Sequence, residues 1–153
     1  MSNPHRRMWL DPLLLERLAE TAFLASECGL LEEAEQIFAD LATLRPANPS
    51  PRIGLAMVIA RRGAAEQAIA ELRAVIAAHP QSDMAKAVLG TMLLNTKQSG
   101  ALALFEQVLA HREDPGAVEL AQSCIDLARR QETAASPIVN ESLEYFRHYN
   151  IRA

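Results

Sequence analysis

The sequence is poor in the residue types that carry catalysis or hold metals. It has two cysteines and four histidines among 153 residues. Cys28 and Cys124 lie far apart in the chain, whereas a zinc site or a disulfide framework needs more cysteines at closer spacing. The six glycines are scattered and form no phosphate-binding loop, and neither H-E-x-x-H nor G-x-S-x-G occurs. We therefore expect no catalytic residue, no metal site, no cofactor and no enzymatic activity.

Concentrated positive charge and long apolar runs are also missing. The net charge is −4, and acidic and basic residues are mixed along the chain, so no basic stripe is available to neutralise phosphates. No apolar run is long enough to span a bilayer. Arg6-Arg7 is followed by the charged residues 11–20 rather than by the apolar stretch of an export signal. We expect a cytoplasmic protein that binds no nucleic acid and does not insert into membranes.

Aromatic residues are few, although half of the chain is apolar. One Trp, two Tyr and four Phe are present, while Ala and Leu dominate the apolar set. Apolar residues without a branch at Cβ, such as Ala and Leu, suit closely packed helices better than β-sheets, which favour β-branched and aromatic residues. The composition predicts an all-α fold.

Several residues recur at a spacing of 34. Each has a mechanical role in a pair of helices. A glycine ends the first helix, where the left-handed backbone region is accessible to it. A small alanine lets two helices approach, larger apolar residues follow on the buried side of the second helix, and a proline stops that helix. The recurring pairs are Gly29 and Gly63, Ala34 and Ala68, Phe38 and Leu72, Leu41 and Val75, and Pro46 and Pro80.

Helix starts are marked by a short polar residue followed by proline. Such a residue caps the first turn, and proline fits the first helical position because it has no N–H to satisfy. The four marks are Asp11-Pro12, Ser50-Pro51, Asp114-Pro115 and Ser136-Pro137. Together with the periodicity they predict helices at residues 12–28, 31–44, 51–62, 65–78, 83–96, 99–111, 115–131 and 137–149.

On these residues the chain resembles the tetratricopeptide repeat superfamily over residues 15–131. Leu89-Gly90 and Ala101-x-x-x-Phe105 match a third repeat, although Lys97 replaces its turn glycine. The resemblance implies a right-handed α-α superhelix of three helical hairpins with a capping helix and a C-terminal helix. It divides the chain into a flexible N-terminal tail at 1–11, the repeat domain at 12–131, and a linker with an amphipathic C-terminal helix at 132–153.

The resemblance also implies a binding groove. In this superfamily the first helix of each hairpin lines the concave face through its second, fifth, ninth and twelfth positions. Here those positions are mainly apolar, which suits an amphipathic helix or an extended apolar segment of a partner protein or peptide. Glu16 and Ser50 occupy two of them. The residues that we predict to contact the partner are Ala19, Phe23, Ser26, Ile53, Met57, Ala60, Met84, Ala87, Thr91 and Leu94.

The C-terminal segment carries Tyr145, Phe146 and Tyr149, three of the chain's seven aromatics. A solvated tail would not normally hold them. Two alternatives follow for the predicted helix at 137–149. Either it packs against the repeats or their groove, or it binds a second subunit to form a homodimer.

The segments 28–34, 41–46 and 60–63 resemble the small tetratricopeptide chaperones of bacterial type III secretion. That resemblance implies a cytoplasmic chaperone that holds the apolar part of an export subunit in its groove. The first alternative is a general scaffold or assembly factor of another secretion or envelope complex. The second is a self-associating structural or regulatory protein.

Overall fold

The computed structural model describes residues 11–133. Over this range the chain forms seven α-helices and no strand, which confirms the all-α prediction. The predicted C-terminal helix at 137–149 lies outside the described residues. The helices are α1 (Pro12–Glu27), α2 (Leu31–Leu44), α3 (Ser50–Arg61), α4 (Ala65–Ala78), α5 (Asp83–Asn95), α6 (Ala101–His111) and α7 (Pro115–Thr133).

Two of the predicted helix caps are confirmed and one is wrong. The Asp11 carboxylate accepts the Leu13 N–H at 2.9 Å, and Asp114 accepts two N–H groups of the first turn of α7 at 2.9 and 3.1 Å. Ser50, however, is already the first helical residue of α3. The Asn48 side chain accepts its N–H at 3.0 Å, because an Asn two residues upstream can satisfy this donor. The fourth mark, at residue 136, lies outside the described range.

Three turns between paired helices share one hydrogen-bond pattern. After α3, Gly63 has φ +92°, and its N–H donates to the carbonyl of Ala60 at 3.0 Å. The next N–H, of Ala64, reaches back to Ile59 at 3.2 Å. This pair of bonds satisfies two carbonyls that the end of a helix leaves free. Gly29 has φ +83° and closes the turn after α1 in the same way.

The third turn makes the same bonds without glycine at the position that corresponds to Gly29 and Gly63. Lys97 has φ +57° and donates to the carbonyl of Leu94 at 3.0 Å, while Gln98 donates to Leu93 at 2.8 Å. A side chain in the left-handed region crowds the following carbonyl and costs about 1–2 kcal/mol. The turn therefore keeps its hydrogen bonds although lysine replaces glycine, but the backbone of Lys97 is strained.

The chain divides into two compact units, one ending at Glu71 and the next beginning at Leu72, within α4. In the first unit α2 packs against both α1 and α3. Two ion pairs also span this unit: Arg52 Nε lies 2.7 Å from Glu71 Oε1, and Arg62 Nη1 lies 2.7 Å from Glu35 Oε2. One buried cluster of the unit comprises Leu15, Ala22, Ala34, Phe38, Leu41 and Val58.

A close approach between α2 and α3 centres on Gly54. The Phe38 ring, 1% exposed, lies over this glycine so closely that a Cβ at position 54 would sit 2.5 Å from Phe38 Cε1. Real carbon atoms do not approach to that distance without displacement. Glycine at 54 is therefore what allows the ring to lie against the α3 backbone.

In the second unit a phenylalanine ring packs against a helix glycine in the same way, between α5 and α6. Here a Cβ at Gly90 would sit 2.5 Å from Phe105 Cε1, and Phe105 is fully buried.

The start of α5 is held to the end of α6 by Asp83, whose side chain is 1% exposed. Nδ1 of His111 lies 2.9 and 3.0 Å from its two carboxylate oxygens, and the N–H of Glu113 donates to it at 3.2 Å. His111 thus has a specific acidic partner as well as its place at a helix end.

Helix α7 packs against both α5 and α6. Its Cys124 is buried, and its Sγ lies 3.4 Å from the Thr91 hydroxyl oxygen of α5. Thr91 donates its one hydroxyl proton to the carbonyl of Ala87 at 3.0 Å, so the thiol must be the donor to Thr91. Burial raises the pKa of the Cys124 thiol. The folded protein therefore favours the protonated thiol.

Gly54→Ala should lower the free energy of unfolding by about 1–3 kcal/mol, because the new methyl group displaces the Phe38 ring. A decrease would be informative, because alanine in a helix interior normally stabilises a protein by about 1 kcal/mol relative to glycine. Urea denaturation measures the change. Combining the substitution with Phe38→Leu should remove most of the clash, so the double variant should be more stable than the sum of the single effects. Strict additivity would contradict the close packing.

Lys97→Gly should raise the free energy of unfolding by about 0.5–1 kcal/mol, because glycine removes the left-handed strain while adding entropy to the unfolded chain. The reciprocal change, Gly63→Lys, should lower it by about 1–2 kcal/mol. A Cβ at Gly63 would meet nothing within 4 Å, so this loss reports backbone conformation alone. Equal stabilities for Gly63→Lys and the unchanged protein would refute this explanation.

A thiol-reactive probe should modify Cys28, which is exposed, and leave Cys124 unmodified in the folded protein at pH 8. Full modification of both thiols is expected in urea. A Cys28→Ser variant allows the slow modification of Cys124 to be measured alone. Because the folded pKa of Cys124 is raised, its contribution to stability is complete below the pKa of the unfolded thiol. The contribution is lost as the pH rises through the folded value. Rapid labelling of Cys124 in the Cys28→Ser variant would contradict its burial.

Candidate protein-binding surfaces

In the first unit the predicted contact residues form two parallel rows, on α1 and on α3. Each row follows the spacing i, i+4, i+7, which places its members on one side of a helix, and the two helices contact each other. The rows are not uniformly accessible. Ser26 and Ile53 are buried, each 3% exposed. The four row residues that are partly exposed are Ala19, Phe23, Met57 and Ala60.

Phe23 is anchored from below. Its ring packs edge-on against Phe38, with the ring centroids 4.8 Å apart and the planes at 68°. Phe38 belongs to the buried cluster of the first unit, so the contact fixes the orientation of Phe23 while part of its ring remains accessible. Such an aromatic side chain offers apolar area without losing much conformational freedom on binding.

In the second unit the row lies on α5 and is half covered. Met84 and Leu94 are partly exposed, whereas Ala87 and Thr91 are 0% and 4% exposed. The cause at Thr91 is α7, whose Cys124 touches the Thr91 hydroxyl. The helix predicted to cap the repeats therefore packs on part of the row that was predicted to contact the partner.

One exposed surface lies outside the predicted groove. On α1, Leu13 and Leu24 are 59% and 61% exposed, and between them Arg17 Nη1 lies 2.9 Å from Glu20 Oε2. The repeat pattern gives no warning of this, since Val58, 34 residues after Leu24, is 1% exposed. The exposure of Leu13 and Leu24 could have been predicted from the position of α1 in the first repeat, because the repeat pattern predicts no earlier hairpin to cover it.

Neither a metal-binding cluster nor a membrane-spanning helix is found in the part of the chain that the structure describes. Between residues 11 and 133, no group of three or more His, Cys, Asp or Glu side chains is arranged to hold a metal ion. Among the seven helices, none combines the length and the apolar character needed to cross a membrane. The surfaces are those of a helical protein that presents partly exposed apolar side chains.

Comparison with known proteins agrees with this geometry. A family model described as tetratricopeptide repeat matches residues 28–90. The crystal structure of the Sgt2 tetratricopeptide domain from Aspergillus fumigatus superimposes with a TM-score of 0.60, at 15% sequence identity, over 83% of this chain and 87% of that one. No curated protein matches the chain. The chain therefore has the tetratricopeptide fold, which is generally a non-enzymatic scaffold for protein interaction, and carries tetratricopeptide repeats at residues 28–90.

Proposed function

We propose that this protein is a cytoplasmic chaperone that shields an apolar helix or segment of a partner protein, and that the partner is an export subunit of a type III secretion system. The tetratricopeptide repeats support a role as a protein-binding scaffold. The observation that carries the proposal is the set of partly exposed apolar side chains on the first helices of the hairpins, in particular Phe23 and Met57.

These two side chains have complementary properties for binding an apolar guest. Phe23 is held in one orientation by Phe38, so it can act as a fixed anchor. Met57 is unbranched and polarisable, so it adapts to an irregular partner surface. Met84 and Leu94 offer the same kind of surface in the second unit. An amphipathic helix recognised by apolar anchors of this type is a recurrent mode of peptide binding.

The charge on the rows argues against a different use of the fold. Clamping the C-terminal carboxylate of a partner requires cationic side chains at the contact positions. Of the twelve row positions, counting Glu16 and Ser50, none holds Lys, Arg or Asn. The rows therefore favour apolar contact over recognition of a terminal carboxylate.

The type III assignment is supported by the sequence of the repeats themselves. The turn and helix start at residues 28–34 and the segment at 41–46 resemble the first repeat of those chaperones. A subunit that polymerises or inserts into a membrane after export has an apolar helix that must be covered beforehand. The partly exposed rows provide an apolar surface of the required kind.

Met57→Glu should abolish capture of the partner, because a carboxylate in the row would lose its hydration against an apolar guest. The test is co-expression with each small helical protein encoded by a neighbouring gene, followed by size-exclusion chromatography of the soluble fraction. A client that is soluble only together with this chain supports the proposal. Helical content by circular dichroism should not change, since Met57 is partly exposed.

Leu44→Glu is the matched control. Leu44 is 41% exposed at the end of α2, away from the rows, so the same new charge there should leave capture intact. Equal capture by the unchanged protein and Met57→Glu would remove the rows from the binding site. The absence of any client that depends on this chain would overturn the chaperone function itself.

A further inference from the structure

A second apolar surface runs along α1 and has a regular spacing. Leu13, Arg17, Glu20 and Leu24, here named the α1 stripe, follow one another at intervals of four, three and four residues. Because an α-helix has about 3.6 residues per turn, these intervals keep all four side chains within roughly one sixth of the helix circumference. The same alternation of three and four defines the contact seam of paired helices in coiled coils.

The stripe is exposed where the corresponding residues of the next repeat are buried. Leu24 is 61% exposed, whereas Val58, one repeat later, is 1% exposed and belongs to the buried cluster of the first unit. Similarly, Gly54 lies under the Phe38 ring, whereas Glu20, one repeat earlier, is half-buried on the helix surface. This face of α3 is therefore covered by the preceding hairpin. In the described residues no earlier hairpin covers the same face of α1.

The order of charges along the stripe determines what can cover it. If two copies of α1 lie antiparallel and are centred between Arg17 and Glu20, Leu13 of each helix faces Leu24 of the other. In the same register, each Arg17 faces a Glu20. A parallel arrangement would instead place arginine against arginine and glutamate against glutamate, which is destabilising. The stripe is thus complementary to a second copy of itself under two-fold symmetry, as an isologous interface requires.

We propose that the protein dimerises through antiparallel pairing of the α1 stripes. Each end of the contact is a pair of leucines, and the centre is a network of four charges. Within one chain, Arg17 already pairs with Glu20 at 2.9 Å, with the arginine side chain 69% exposed. An exposed pair at this spacing contributes little, so its rearrangement into the network has a small cost. The leucine layers supply the driving force.

The occupant is a second copy because the stripe matches its own reversed sequence, and no other partner is needed to explain the central charges. The stripe is also separate from the groove rows. Phe23 lies about a quarter turn around α1 from the stripe, so the dimer leaves its accessible edge free. Association of the chain and capture of a partner can consequently be measured independently.

The test exploits the symmetry of the charges. Sedimentation velocity of the full chain, over a range of micromolar concentrations, should show a monomer–dimer equilibrium. Arg17→Glu and Glu20→Arg should each raise the dimer Kd at least about tenfold, because each places like charges opposite one another at both symmetry-related contacts. The double variant, Arg17→Glu with Glu20→Arg, should restore the original Kd. An equimolar mixture of the two single variants should form a heterodimer more readily than either variant self-associates.

Leu24→Lys should raise the dimer Kd by about 100-fold or more, because each dimer contains this leucine twice. Leu102→Lys is the matched control: Leu102 is 56% exposed on α6, and its substitution should leave the Kd unchanged. Circular dichroism verifies that each variant is folded. A chain that stays monomeric at all concentrations overturns the proposal. So does a dimer that tolerates Leu24→Lys, or a pair of charge-swapped variants that fail to associate when mixed.

Discussion

The packing of a phenylalanine ring against the backbone of a neighbouring helix is the contact on which both units depend. Phe38 covers Gly54, and Phe105 covers Gly90, in each case at a distance that admits no side chain on the glycine. The helices meet more closely than larger residues at the contact would allow. The direction in which α3 and α5 present their outward side chains follows from this contact. The apolar rows of α3 and α5 therefore lie on helices that these contacts hold in place.

Features set by local chemistry could be predicted from the sequence. Gly63 ends its helix in the left-handed region because its own backbone permits it, and the recurrence at 34 residues located each turn, including the one built by Lys97. The helix cap predicted at Ser50 was wrong for an equally local reason, since the helix begins at Ser50 and the Asn48 side chain accepts the Ser50 N–H. The fold could be predicted because each of these signals depends on only a few neighbouring residues.

Accessibility could not be predicted, because it depends on which helix lies alongside. The repeat pattern assigns Met57 and Thr91 the same position in successive repeats, yet Met57 is partly exposed while Thr91 is covered by Cys124 of α7. Leu24 and Val58 differ for the converse reason, because among the described residues only Val58 has a preceding hairpin to pack against. A periodic pattern predicts burial for repeats that have a neighbour on each side, but not for a repeat with a neighbour on one side only.

The location of Phe38 also has a consequence during synthesis of the chain. The ring is supplied by the first hairpin, but its binding place is on α3, which is translated later. When residues 12–44 have left the ribosome, this large apolar side chain still lacks the surface that will cover it. The core around Phe38 is therefore completed only when α3 is present. Nascent chains would pass through a stage in which Phe38, a residue of the future core, is not yet covered.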